Sequence, residues 1–370
     1  MSGTTINRQD RQPVYRQIAD ILAAEIQQNH VAGDLLPGEI LLSRRFDVER
    51  NTVRRALYLL VTLGLIRKVR GRGSQVLSLR TPPSALSPDS GSRNIIFVTS
   101  ASYLPKGQSE SFHLALIRGF EKRFSDSGYN LVIKSIGDGQ SLGNVMENLN
   151  AAAVIFDSHV PASCYQEGLD LKIPCVSVNH YTELVTSVVS DNFDSAYRMA
   201  RLMADFGHRQ FACVTGKAGY QTSAERLSGF QTYLREAGIF WNEIQVFAGD
   251  WTFDSGIQAA EQILTLKKSI RPTALFVFND DMAYGCRSCL EKNGLAVPGN
   301  ISLAGFDNTE NYRGIFSPLT TVDVNINAII DYTAWFLFAR LAGRAPEKTA
   351  KIQIGATIVD NGSIESIADV

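Results

Sequence analysis

At 370 residues the chain is too long for one ordinary core, so two or three domains are expected. Its 45% apolar and 20% charged composition is that of a globular protein, and no run of about 18 apolar residues is present to cross a bilayer as a helix. The net charge of −1 hides an asymmetry: residues 1–80 hold 13 Lys and Arg against 7 Asp and Glu, whereas the other 290 hold 23 against 30. A basic head on an acidic body is expected to touch a polyanion through the head alone. The first residues, MSGTTINRQDRQPVYRQ, lack an apolar signal core, and the five cysteines are scattered. Both point to reduced thiols and a cytoplasmic location.

In chain order, "PVYRQIADILAAEIQQ" opens with a proline and places Tyr15, Ile18, Leu22 and Ile26 at helical spacing. A turn, "AGDLLPGE", leads to a short helix over Glu39–Phe46. The stretch "VERNTVRRALYLLVTLGLIRKVRGRGSQV" carries six arginines and one lysine. Within it Val53, Ala56, Leu57 and Leu60 form a buried stripe, while Asn51, Arg54, Arg55 and Tyr58 point away, with Arg50 on the flank. Gly64 is expected to end this helix. "LIRKV" and "SQVLSL" then read as two short strands around Arg70-Gly71-Arg72-Gly73, a tight hairpin. Three helices followed by a basic hairpin make a winged helix-turn-helix, whose third helix suits the major groove.

Residues 80–93, "RTPPSALSPDSGSR", have linker composition. Beyond them, apolar β-branched runs ("NIIFVTS", "YNLVIKSI", "AAVIFD", "PCVSVN", then "HRQFACVTG", "IQVFAGD", "ALFVFND", "ISLAGFD") alternate with helical stretches. Two doubly wound α/β lobes are implied, with ligands expected beyond the carboxyl ends of the strands. Asn179, Asn279, Asp280 and Asp307 stand at such ends. There is no nucleophile elbow, P-loop or dinucleotide fingerprint, so no enzyme and no cofactor is expected. His208 reads as structural, and Cys286 and Cys289 as two thiols on a helix rather than metal ligands.

Residues 13–77 resemble the DNA-binding domain of the GntR family, through "PVYRQIADILAAEI", "LPGE", "LSRRFDVERNTVRRALYLL" and "GRGSQV". The resemblance implies DNA contacts at Arg50, Asn51, Thr52 and Arg54 of the recognition helix and at Arg70, Gly71 and Arg72 of the wing. Glu49 stands where the family usually has serine, and Ile40 where it often has a basic residue. The body resembles the effector domain of the LacI/GalR family, through "VVSDNFDSAYRMARLMADFGHRQFACVTG", "ERLSGFQTYLREAG", "GDWTFDSG", "ALFVFNDDMAYG" and "ISLAGFDNTENYRGIFSPLTTVDVN". By this likeness Phe112, Asn179, Thr222, Arg226, Trp251, Asn279 and Asp307 bind the ligand. Its usual hinge helix has no counterpart in the proline-rich linker, and the combination is similar to that of AraR-like regulators.

The expected organisation is a winged helix-turn-helix at 8–79, a linker at 80–93 and a periplasmic-binding-protein-like α/β body at 94–370. Lobe 1 would hold about 94–190 and 325–351, and lobe 2 about 191–323 and 353–370. Three strands would cross between them near Ser190–Phe193, Thr321–Ile326 and Lys351–Ile354. The expected function is a cytoplasmic, homodimeric, ligand-responsive transcription regulator: a repressor released from double-stranded operator DNA by a sugar-like effector. The alternatives are a sugar-activated regulator and a sugar-binding protein without a transcriptional role.

Overall fold

The computed structural model describes residues 14–29, 33–62, 66–69, 73–76, 92–100, 111–137, 139–158, 160–239, 245–309, 315–345 and 348–367. The chain divides into two compact units, Met1–Ala85 and Leu86–Val370.

In the first unit, α1 (Val14–Asn29), α2 (Glu39–Phe46) and α3 (Arg50–Thr62) precede the antiparallel strands β1 (Ile66–Val69) and β2 (Gly73–Val76). The periodic apolar positions meet in one core: Ile18, Leu22 and Ile26 of α1, Leu42 and Phe46 of α2, and Val53, Ala56, Leu57 and Leu60 of α3. Ile66 and Val76 close it from the hairpin. Tyr15 packs at the edge, half-buried. The segment read as a plain turn also joins the hairpin. Gly33 N donates to Val76 O at 2.9 Å, Val76 N to Asp34 O at 2.7 Å and Leu36 N to Ser74 O at 2.9 Å. Gly33 makes this possible at φ +102°, a region L-residues avoid. Gly64 and most of the 80–93 linker lie outside the described residues.

The second unit opens with β3 (Asn94–Ser100), α4 (Ser111–Ser125), β4 (Asn130–Ile136), α5 (Leu142–Met146), β5 (Ala151–Phe156), α6 (Ala162–Asp170), β6 (Cys175–Val178) and β7 (Ser187–Ser190). It continues with α7 (Asn192–Asp205), β8 (Phe211–Thr215), α8 (Gln221–Glu236), β9 (Val246–Ala248), α9 (Phe253–Thr265), β10 (Ala274–Val277), α10 (Asp280–Lys292) and β11 (Ser302–Ala304). It closes with β12 (Thr321–Asp323), α11 (Ile326–Leu341), β13 (Lys351–Ile354) and β14 (Thr357–Val359).

Two parallel sheets result, ordered β13-β7-β6-β5-β3-β4 in lobe 1 and β11-β10-β8-β9 in lobe 2. Strand alternation sorts the lobe 1 core. Ile95, Phe97, Ala153 and Ile155 cluster with α4 and α11, whereas Ile96, Val98, Val154 and Phe156 cluster with α5 and α6. Helices on both faces explain why these strands read as unbroken apolar runs. In lobe 2, α7 packs on α8 and α9 on α10.

The chain passes between lobes at 191, at 324–325 and at 355–356. Two passages end in helix caps: Asp191 Oδ1 accepts from Asp194 N at 3.2 Å, and Asn325 Oδ1 from Ala328 N at 3.3 Å. One expectation is corrected. Lys351–Ile354 is not a crossing strand but the edge of the lobe 1 sheet, paired with β7 from Lys351↔Ser187 to Ile354↔Ser190. Its hydrogen bonds hold it in lobe 1 until 354, so 353–354 belong there and the crossing follows.

Candidate functional site

Two features stand out, and each belongs to a single unit. On the head, α2, the turn at 47–49 and α3 form a helix-turn-helix. Asp47 makes the corner at φ 48°, and Ser43 Oγ donates to Val48 O at 2.6 Å. Burial of the α3 stripe turns Arg50, Asn51, Arg54 and Arg55 to the exposed side, with Thr52 half-buried between. Glu39 of α2 reaches across: Arg54 Nε donates to its Oε2 at 2.8 Å, and Arg50 Nη2 lies 3.9 Å from the same oxygen. An exposed pair of this kind contributes only about 0–1 kcal/mol, so it aims the guanidinium more than it stabilises the fold. Arg70, Gly71 and Arg72 lie outside the described residues.

The second feature is a cleft of roughly 400 Å³, counting its open mouth, between the carboxyl ends of the two sheets. All seven residues expected to bind ligand line it: Phe112 and Asn179 from lobe 1, and Thr222, Arg226, Trp251, Asn279 and Asp307 from lobe 2. His113, Ser158, Tyr220 and Asp281 line it too and were not foreseen. The strand-end rule that flagged Asn179 applies equally to Ser158, one residue past the start of the β5 loop. Nothing in a single sequence marks His113 or Tyr220 beyond lying one position after Phe112 and two before Thr222.

Three lining residues, Asn179 (φ 58°), Trp251 (φ 76°) and Asp307 (φ 101°), have left-handed backbones without being glycine. Asn and Asp tolerate this locally; for a bulky Trp it is strain of the sort concentrated at binding sites. Gly216 makes the position possible, because a Cβ there would fall 1.9 Å from the Trp251 ring.

Arg226 is the centre of the lobe 2 wall. Its Nε donates to Asn192 Oδ1 at 2.9 Å and its Nη1 to Phe278 O. Its Nη2 lies 3.5 Å from Asp307 Oδ1, and its Cζ sits over the Phe306 ring, 3.6 Å from the centroid. Asn279 is largely occupied by structure. Its Oδ1 caps α10 by accepting from Met282 N at 2.9 Å, and its Nδ2 donates to Trp251 O at 2.9 Å.

Asp280, also singled out by position, lies behind the wall instead of in it. Its oxygens accept from Thr321 Oγ1 at 2.6 Å and Thr309 N at 2.8 Å. Burial, then the nearby Asp307 charge, pushes its pKa up to about 8 against those hydrogen bonds. Burial likewise raises Asp307, with Arg226 and His113 pulling the other way. In lobe 1, His113 Nε2 lies 3.3 Å from Asp157 Oδ2. The lobes also touch where Tyr181 N donates to Gln221 Oε1 at 3.0 Å. His208 is remote from the cleft lining. Its ring nitrogens contact Thr273 Oγ1 at 3.0 Å and Ser302 Oγ at 2.9 Å, and burial lowers its pKa, as a structural histidine requires.

Two family models match this chain: bacterial regulatory proteins of the gntR family over residues 14–76, and the periplasmic binding protein-like domain over residues 200–364. The chain joins a gntR-family head to a periplasmic-binding-protein-like body. Among relatives, the HTH-type transcriptional repressor PurR of Vibrio campbellii is 36% identical over 135 residues, covering 36% of this chain and 40% of that protein. PurR of Photobacterium profundum is 30% identical over 224 residues, covering 57% and 65%. The match thus spans about two fifths to two thirds of these relatives. The solved complex of the transcriptional regulator CelR with cellobiose superposes with a TM-score of 0.64 at 20% identity, over 95% of this chain and all of that one. At that identity the likeness is one of fold. Within the described residues of the gntR-type head and its body, no helix is long and apolar enough to cross a membrane.

Proposed function

We propose that the chain is a cytoplasmic, non-catalytic transcription regulator, a repressor whose hold on operator DNA is loosened by a small, polar, sugar-like effector. The observation that carries this reading is the cleft itself. Aromatic faces (Phe112, Tyr220, Trp251) and directed polar groups (Asn179, Arg226, Asp307) converge between two lobes, on a chain that also bears an outward arginine-rich helix. Rings plus directed hydrogen bonds are the chemistry that holds a polyhydroxylated ring. The repressor function of the PurR relatives and the cellobiose bound by CelR support the same reading.

Mechanistically, an effector touching both walls favours their closed arrangement, a hinge motion about the three crossings. In a homodimer, reorienting one lobe alters the spacing of two heads that must meet two half-sites. Operator affinity measured with and without saturating effector is expected to differ by about 1–3 kcal/mol, weaker with effector. Equal affinities would remove the sensor role; tighter binding would reverse its sign.

Arg54→Ala is expected to lower specific operator affinity by about 1–3 kcal/mol if Arg54 reads a base edge. Fluorescence anisotropy on operator and scrambled DNA measures it. An equal loss on both sequences would make Arg54 a phosphate contact instead.

A further inference from the structure

Among the described residues of the cleft, Asn179 Oδ1 from lobe 1 and Trp251 Nε1 from lobe 2 are buried without a hydrogen-bond partner. Buried polar groups are otherwise almost always satisfied, and leaving one unmet costs its full desolvation. A donor and an acceptor left open on opposite walls point to an occupant that supplies the complements.

Which edge of the Asn179 amide faces the cleft is decided by what lies behind it. Asp157 is fully buried just past β5, and its carboxylate accepts from Thr99 Oγ1 at 3.1 Å and from Ser158 Oγ at 3.5 Å. A hydroxyl has one proton to give, so Ser158, donating to Asp157, must use its oxygen as an acceptor. It accepts from Asn179 Nδ2 at 3.1 Å. One N–H of the amide is thereby taken by Ser158, and Oδ1, which can only accept, is the atom left open. Opposite, an indole N–H can only donate. The close approach of the Trp251 ring to Gly216 restricts its turning.

We propose that the effector presents a neutral donor, an O–H or N–H, to Asn179 Oδ1 and an acceptor to Trp251 Nε1. Asp157 and Ser158 then act as positioning residues that set ligand selectivity. A hydroxyl-bearing ring meets both demands. A phosphate or carboxylate oxygen at Asn179 sets lone pairs against lone pairs. The inference rests on reading the cleft as the effector site, and it adds which charge state and hydrogen-bond polarity that site accepts.

The test is calorimetric titration of the full chain with matched pairs: ribose and ribose 5-phosphate, glucose and glucuronate, cellobiose and cellobionate, adenine and adenosine monophosphate. A neutral member is expected to bind, with its anionic partner at least about tenfold weaker. Ser158→Ala lets the amide turn over, so that ratio is expected to narrow by about tenfold. Trp251→Phe is expected to weaken both members by about tenfold and leave the ratio alone. Asn179→Asp, which keeps an acceptor but adds charge, is expected to widen the ratio and serves as the second variant should Ser158→Ala fail to fold. A wild-type preference for an anionic member, or an unchanged ratio in the Ser158 and Asn179 variants, overturns the inference and leaves the effector reading standing. Binding of no member, with operator affinity also unmoved by all of them, overturns both together.

Discussion

Replacing Arg226 with alanine is expected to abolish the effector response and to destabilise the body by about 3–5 kcal/mol, the cost of breaking a buried pair from one side. Its side chain is only 5% exposed and that of Asp307 only 9%. Without the guanidinium, Asp307 stays buried beside Asp280, Phe278 O loses its donor and Phe306 its stacked face. The loss also reaches a crossing. Arg226 Nε holds Asn192 Oδ1, and Asn192 Nδ2 donates to Ser190 O at 3.3 Å, on either side of the first passage between lobes. Asp307→Asn, which preserves shape and hydrogen-bonding capacity, is expected to impair effector binding at a smaller stability cost. Urea unfolding with linear extrapolation, beside operator titrations, measures both. A stability change below about 1 kcal/mol with unaltered effector affinity would take Arg226 out of both roles.

Stability is expected to fall as the pH rises from about 4 to about 8, in part through Asp280. The folded carboxyl, raised to about 8, keeps a proton that the unfolded chain releases near the ordinary 3.8. The folded state binds more protons in that window, so unfolding becomes easier as pH rises. The contribution is complete below the unfolded value and lost as pH passes the folded one. Each pKa unit corresponds to about 1.4 kcal/mol, so the loss is expected to reach several kcal/mol. Asp280→Asn cannot ionise and is expected to flatten this part of the profile. One of the bonds from Thr321 or Thr309 would be lost at every pH, which lowers the baseline without tilting it. Denaturant midpoints at pH 5 and pH 8.5 for both proteins decide it. An identical pH slope in the two would exclude Asp280 as its source.

Much of the architecture follows from the sequence because it is local. The i, i+3, i+4, i+7 spacing of Val53, Ala56, Leu57 and Leu60 leaves one way to bury α3, and that turns Arg50 and Arg54 outward whatever surrounds them. Unbroken apolar strands between amphipathic helices dictate parallel sheets, and parallel sheets present their loop residues at one edge. Asn179, Asn279 and Asp307 are legible for that reason, while Phe112, Thr222, Arg226 and Trp251 came from the family likeness. Tertiary structure alone decided how these residues are used. Asn279 is spent on a cap, Asp280 sinks behind the wall, and Arg226 becomes a buried ion pair. It also decided that 351–354 completes the lobe 1 sheet beside β7, a pairing across more than 160 residues of chain. Side-chain polarity is likewise non-local: Asn179 faces the cleft with its acceptor because Ser158, 21 positions earlier, accepts from its Nδ2 while donating to Asp157. Local spacing specifies which face of an element is buried, but burial depth, ionisation and hydrogen-bond direction depend on neighbours that only the folded chain brings within a few ångströms.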